Sequence, residues 1–477
     1  MGNLLEILNE IVWGIPALIA ILGVGIYLSV RTGFAQLRFL PNAIKVFGQR
    51  IFQKNSPNSE ISPYQAFCTA LGATVGTGNI VGVGGAIAIG GPGAIFWMWI
   101  AGILGMITKY AEVLLAVHYQ NKNARTQITA GPMYIIKNGM NRRFAPLAYV
   151  YAFLGVVASF GVGNAVQINA IVGGIRSVME SIGMNLSGLW VWILGICCAV
   201  LVCVMLLGGA KRIATIAEQL VPVASVAYIV LCITALVVLR GNIITALRMI
   251  MQGAFSPYAV TGGVIGSMLL TIRIGTARGV FTNEAGLGTA GIAHGCAEVE
   301  HPAMQGVLGI VEVFLDTIMI CTLTALVILA SGVPISYGND LGGILTTAAF
   351  TGVLGSWVTI PLVLIIICLA LATVIGWGLY GARCTQFLFG DQSWNGFVFF
   401  QTLAALAGAV LQAPTIWMWS EVVNGLMMIP NLAALVHRSG VVMLLTTEYE
   451  QKIKLERSIR RRQRTNFQLK YFVRCDK

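Results

Sequence analysis

The residues able to do chemistry in this chain lie inside apolar runs. Thr77 and Asn79 belong to Gly76-Thr77-Gly78-Asn79, in a run from Val75 to Trp99 that carries eight glycines and a proline. Arg273, Arg278, Asn283 and Glu284 fall in the run from Leu270 to Gly295. Asn164, Gln167 and Asn169 sit in another, Glu312 and Asp316 in a fourth, and Thr373 and Trp377 in a fifth. This is not an inventory for bond-breaking. His118, His294, His301 and His437 fall near the ends of runs and form no HExxH or GxSxG pattern. It is an inventory for holding ions and polar ligands. Gly costs roughly 1 kcal/mol against Ala in a helix interior, so eight in one run predict unwound or closely approached backbone. At bilayer depth, free N–H and C=O groups are tolerated only where protein buries them or they line a cavity. Broken helices of that kind build the ion and substrate sites of secondary transporters.

The elements that must position these residues are membrane helices. The chain has 477 residues, 57% hydrophobic and 10% charged, with a mean hydropathy of +0.82. Runs able to cross the bilayer, about 17–25 residues each, fall near 13–30, 64–88, 92–118, 147–175, 189–207, 218–239, 263–289, 303–330, 356–382, 395–411 and 416–436. That predicts about 11 spans. Placing the loop after the first span in the cytoplasm puts 24 of the 30 Lys and Arg inside. The expectation is a multi-pass protein of the cell (inner) membrane, N-terminus outside and C-terminus cytoplasmic. Residues 438–477 form a basic tail contributing +7 of the net +12. Its position just inside the last span fits orientation and anionic lipid, not nucleic acid. Ile243 to Phe255 reads as a short amphipathic outer helix ended by Ser256-Pro257. No soluble domain and no obligate protein partner is expected.

The two irregular runs are a pair. Gly76-Thr77-Gly78-Asn79 and Gly275-Thr276-Ala277-Arg278 lie 199 residues apart, five spans from each other, in helices crossing in opposite senses. Interrupted segments at matching places in two halves point to an inverted repeat with its site at the midplane.

Longer motifs then carry a resemblance. GTGNIVGVGGAIAIGGPGAIFWMW, AGPMYI at Ala130 to Ile135 and RGVFTNEAGLGTA at Arg278 to Ala290 resemble the alanine or glycine:cation symporter family of prokaryotes. The resemblance implies an all-α polytopic membrane protein with a leucine-transporter-type five-plus-five inverted repeat and one extra N-terminal helix. The halves would be 64–240 and 241–437, with 1–63 as the extra span and loop. It also implies Na+-coupled symport of small neutral amino acids, alanine and glycine, with Na+ the coupling ion and no other cofactor. H+ coupling stays open, and an ion channel is the more distant alternative. Laid on this chain, the fold implies Na+ ligands at the carbonyls of Gly72, Val75 and Leu369 and the Thr373 hydroxyl. The N–H groups around Gly76, Thr77, Gly78 and Asn79 suit a substrate carboxylate, glycine there leaving the approach open. Gln167 and Ile171 suit the ammonium and side chain, Trp377 the pocket wall, and Ile274, Gly275 and Thr276 the matching position on the second broken run. Gly90 to Gly93 read as the turn into the next span.

The intramembrane charges stand apart, being functional candidates by default. Glu312 and Asp316 share a face at i,i+4, where like charges repel. Pairing with Arg273 or Arg278, as gate or strut, is the expectation. A second cation site from Asp316, Thr271 and Asn79 is the alternative.

Overall fold

Backbone polar groups in hydrocarbon must be satisfied within the chain, so apolar runs have to be helices. The computed structural model describes residues 8–51, 61–122, 128–181, 183–184, 188–265, 267–339, 342–411 and 413–475. Among them the one sheet is the pairing of Asn121–Lys122 with Ile128–Thr129. Eight helices among the described residues are long and apolar enough to span a membrane, and a ninth span results if Pro63–Thr74 and Gly78–Gly90, bent by 47°, are taken together. The expected eleven are therefore not all matched. Met268–Asn283 and Trp394–Val410 occupy the two remaining places but have only 16 and 17 residues.

The helices that position the site are α1 (Pro63–Thr74), α2 (Val83–Gly90), α3 (Ala94–His118), α4 (Val166–Ser181) and α5 (Met268–Asn283). They are completed by α6 (Thr289–His294), α7 (Pro302–Val313), α8 (Thr359–Phe389) and α9 (Ala413–His437). Among the described residues three wide π turns interrupt the regular helix, at Gly78–Gly82, Gly161–Ala165 and Phe314–Cys321. Such turns shift the backbone bonding by one residue and release groups for other partners.

Close crossings of small residues hold the bundle together, as helices without a hydrophobic drive between them require. A β-carbon at Gly309 would lie 3.1 Å from Lys109 Cγ, and one at Gly306 2.9 Å from Tyr110, so α7 lies directly on α3. Nearer the start of α3, Gly275 meets the Ala94 carbonyl and Gly279 meets Ala101. Gly376 brings α8 onto α1, where a β-carbon would stand 3.0 Å from the Thr69 carbonyl.

The turn from α2 into α3 lies at Gly91, with φ +76, as the glycine run predicts. The short helix Ile243–Phe255 also has its expected bounds, and its Gly253 abuts Gly93. The tail continues as one helix, Ser439–Cys475, tied back by Arg38 to Glu450 at 2.7 Å and by Lys452 to Glu300 at 2.9 Å.

Candidate functional site

The first break begins with a firm start and an abrupt end. Ser62 and Gln65 form a reciprocal capping box at the head of α1, with Pro63 in the first turn. The helix stops at Thr74, and Val75 is extended, with φ −77 and ψ 99. The Gly76 N–H, which a continuing helix would give to the Gly72 carbonyl, goes instead to Asn79 Oδ1 at 2.9 Å. The Gly72 carbonyl is left without its helix donor. Thr373 Oγ1 of α8 lies 3.0 Å from that oxygen and 3.1 Å from the Leu369 carbonyl. One hydroxyl hydrogen serves one acceptor at a time, so three oxygens converge there. A β-carbon at Gly76 would stand 2.6 Å from Thr373 Oγ1, which places the peptide after Val75 against the same spot. Gly72, Val75, Leu369 and Thr373 are thus gathered, and all are buried.

Past the break, Thr77 Oγ1 donates to Gln167 Oε1 at 3.2 Å. Gln167 Nε2 donates to Val162 O at 3.2 Å, within the turn at Gly161–Ala165. Ile171 is buried one turn further along α4. The first N–H groups of the Gly78–Gly82 turn have no acceptor within their own helix, as at any helix start. Trp377 is fully buried, its β-carbon against Gly163 and its indole N–H donating to Glu284 Oε1 at 2.9 Å. Asn164 and Asn169, by contrast, donate to backbone carbonyls of Trp394–Val410 and the residue after it, as inter-helix bonds.

The second break lies elsewhere than the glycine match predicts. α5 is continuous through Ile274, Gly275 and Thr276. Ile274 faces Gly90, and Gly275 packs on Ala94 and Trp97. That glycine provides close helix contact, not an interruption. The chain unwinds later, at Glu284 to Gly288, with Glu284 at φ +55, Gly286 at +100 and Gly288 at +80. Thr282, not Thr276, meets the first break, with its methyl 3.0 Å from where a Gly78 β-carbon would be. The unwound N–H groups of Gly286 and Gly288 both donate to Glu112 Oε1 of α3, at 2.8 and 3.1 Å. Asn431 Nδ2 of α9 donates to the same oxygen at 2.7 Å and to the Gly286 carbonyl at 2.9 Å.

The charges also pair differently from expectation. Arg278 binds Glu421 of α9 at 3.1 Å, where both side chains keep about a fifth of their surface exposed (20% and 18%). Glu312 binds Lys109 at 3.2 Å and His294 at 2.9 Å, entirely buried. The glycines of α7 explain the exchange: they let the Lys109 stem lie against α7, next to Glu312, while Arg278 stays partly solvated. Arg273 makes no ion pair with either acid among the described residues. Asp316 receives Asn79 Nδ2 at 2.7 Å and Thr317 Oγ1 at 2.7 Å. Asn283 Nδ2 donates to Thr317 at 3.1 Å, so a hydrogen-bonded path joins the two breaks through Asp316. Thr271 does not join it; its hydroxyl turns to Ser267 O at 3.5 Å on its own helix.

Lys109 and Glu112 were not singled out by the sequence reading. The signal was there, as two ionisable residues three apart in the middle of an apolar run.

Comparison with known proteins agrees with this architecture. The model of the sodium:alanine symporter family matches residues 1–463. The sodium/alanine symporter AgcS of Methanococcus maripaludis is 38% identical over 456 residues, covering 94% of this chain and 97% of its own. An uncharacterized transporter of Haemophilus influenzae is 37% identical over 458 residues, 95% of this chain and 97% of its own. The probable sodium/glutamine symporter GlnT of Bacillus subtilis is 34% identical over 463 residues, 95% and 92% of the two chains. Among solved structures, MhsT in complex with L-phenylalanine superposes with a TM-score of 0.52 at 14% identity, over 80% of this chain and 97% of that one. That likeness gives the fold, of the leucine-transporter type.

Proposed function

This chain belongs to the sodium:alanine symporter family, and on that premise we propose that it couples inward movement of Na+ to uptake of alanine and glycine by alternating access. The observation that carries the reading is the convergence of the Gly72 and Leu369 carbonyls on Thr373 Oγ1, at 3.0 and 3.1 Å, where the first break frees a backbone oxygen. Hard oxygen donors of this kind suit Na+, and unwound carbonyls supply them in broken membrane helices. The Val75 carbonyl is the fourth ligand in this reading. The substrate carboxylate takes the N–H groups at Thr77 and Gly78, Gln167 and Thr77 meet the ammonium, and Ile171 and Trp377 limit the side chain. Thr282 replaces Thr276 as the contribution of the second broken run. Asp316, held against Asn79, is the second cation position. Four buried carboxylates, Glu112, Glu284, Glu312 and Asp316, share this interior with Lys109, and buried acids in excess of the fixed ammonium are met by a mobile cation or by protons.

Na+ and amino acid binding together stabilise occlusion across the two breaks, after which the helices bearing them rock to open inward. Residues 64–240 and 241–437 act as the two repeats, with 1–63 and 438–477 appended. The N-terminus faces outward. The same acids favour a second reading, H+ in place of Na+. Labelled alanine uptake into proteoliposomes under imposed gradients separates the two. Uptake driven by Na+ at equal pH supports Na+ symport, uptake driven only by a pH gradient moves coupling to H+, and no saturable uptake refutes both.

A further inference from the structure

We infer that the buried chain Lys109–Glu312–His294–Gln305–Pro63 pins the start of the first broken span to the helix after the second break, with His294 and Gln305 as positioning residues. The inference rests on the symport reading for its consequence, not for its geometry. Lys109 Nζ lies 3.2 Å from Glu312 Oε1, and Glu312 Oε2 lies 2.9 Å from His294 Nε2. His294 Nδ1 lies 2.8 Å from Gln305 Nε2, which donates to the Pro63 carbonyl at 3.1 Å. Lys109, Glu312, His294 and Gln305 are all 0% exposed, so solvent does not stand in for a bond lost among them; Pro63, at the end of the path, is half-buried. Four elements, α1, α3, α6 and α7, are joined by one path, and they include the helices on either side of the site.

The hydrogens on that path can be counted. An amide nitrogen carries two hydrogens and accepts none. Gln305 Nε2 gives one to Pro63 and the other to His294 Nδ1, so Nδ1 is bare. The imidazole hydrogen is therefore on Nε2, donated to Glu312. Turning the Gln305 amide over would set its oxygen against the Pro63 oxygen, two acceptors with no hydrogen between them. The Pro63 carbonyl thus dictates the tautomer of His294, although the two residues share no bond. Withdrawing Pro63 frees Gln305 to present its oxygen to Nδ1, where the imidazole can then take a proton. A proton placed on Nδ1 first would repel the amide hydrogens and release Pro63. Movement at the first break is thereby coupled to which His294 nitrogen carries a hydrogen. The groups facing His294 are Glu312 and Gln305 from α7, the edge-on Phe67 ring at 6.2 Å from α1, and Lys109 from α3. Beyond them, Lys109 also lies within the electrostatic reach of Glu112 and Glu284, and Tyr380 of α8 within that of Glu284 and Glu312.

Two variants test the pin: His294→Gln, which donates to Glu312 without titrating, and Gln305→Glu, which sets an acceptor against both Nδ1 and the Pro63 carbonyl. Each is reconstituted and its Na+-driven alanine uptake followed from about pH 5 to 8, the range in which histidine ordinarily titrates. In parallel, labelling of Cys68 and Cys296 by a thiol reagent is followed peptide by peptide, because both are buried and flank the pin, at 1% and 2% exposure. Both variants should lower the maximal rate roughly tenfold, the worth of about one hydrogen bond, with alanine half-saturation changed by less than about threefold. Labelling of both cysteines should accelerate by a similar factor, and the acid limb of the wild-type pH profile should be missing from His294→Gln. Wild-type rates and labelling in either folded variant, or an unchanged pH profile in His294→Gln, overturn the inference. If the wild type itself shows no Na+-dependent uptake, the symport reading fails while the labelling still decides the pin.

Discussion

Replacing Thr373 by Val removes one oxygen from the convergence at the first break and keeps the side chain's shape. In the native site the hydroxyl lies 3.0 Å from the Gly72 carbonyl and 3.1 Å from the Leu369 carbonyl. The Leu369 carbonyl retains its own helix bond, but Gly72 has lost the Gly76 N–H to Asn79. In Thr373→Val a Na+ ion would meet two or three oxygens in place of three or four, and in its absence Gly72 would have no donor. Losing one such buried polar partner costs about 1–3 kcal/mol. At about 1.4 kcal/mol per tenfold, half-maximal uptake should need roughly 10- to 100-fold more Na+, while saturating Na+ restores most of the rate. Thr373→Ser keeps the oxygen and should stay within about threefold of wild type. Initial rates of labelled alanine uptake into proteoliposomes, over a Na+ series balanced with choline, provide the assay. A Thr373→Val protein with wild-type Na+ dependence would remove Thr373 from the ion site and leave the freed Gly72 carbonyl unexplained.

Glu112→Ala strips the acceptor from the N–H groups of Gly286 and Gly288 and from Asn431. Thermal unfolding in detergent should show a loss of several degrees, about 1–3 kcal/mol for each stranded donor, with Glu112→Gln much milder; equal stability in the two variants would argue against the carboxylate as the loop's anchor. Gly163→Ala drives a methyl into Trp377, an overpacking worth about 1–3 kcal/mol, and should lower the melting temperature and shift the ratio of alanine to larger substrates in competition assays. For the Arg278–Glu421 pair, partly solvated and so worth about 1 kcal/mol or less, single neutral variants should slow uptake a few-fold and the exchanged pair should recover part of it; an exchange no better than the singles would refute a pairing role.

How legible the site was depended on which chemistry made each residue unusual. The first break was readable because helix interiors disfavour glycine and membranes punish free backbone, so at that density Gly76 to Asn79 favoured unwinding over close packing, the other use of glycine in membrane helices. Thr373 and Trp377 became readable only through the family resemblance, since a threonine in a membrane helix ordinarily bonds its own backbone, which Thr373 also does. The second break was misplaced by about ten residues. Gly275 resembles Gly76 in its letters, but helix crossing and unwinding both call for glycine, and sequence does not distinguish a contact with Ala94 from a break. The positive φ angles at Glu284, Gly286 and Gly288 fall instead in the NEAGLG segment that carried the resemblance. Charge partners were the least legible. Lys109 reaches Glu312 because Gly309 admits its stem, a three-dimensional fact with no trace in the spacing of either residue.

The central claim is that Na+ and a small amino acid occupy adjoining parts of one site at the broken helices. Linkage then requires each to strengthen the other by the same factor. Equilibrium binding of labelled alanine to the purified protein across a Na+ series, paired with Na+ affinity measured with and without alanine, tests this directly. The alanine Kd should fall as Na+ rises, K+ should not substitute, and the factor measured from the alanine side should equal that measured from the Na+ side. An alanine Kd indifferent to Na+, or lowered equally by K+, would contradict the shared site.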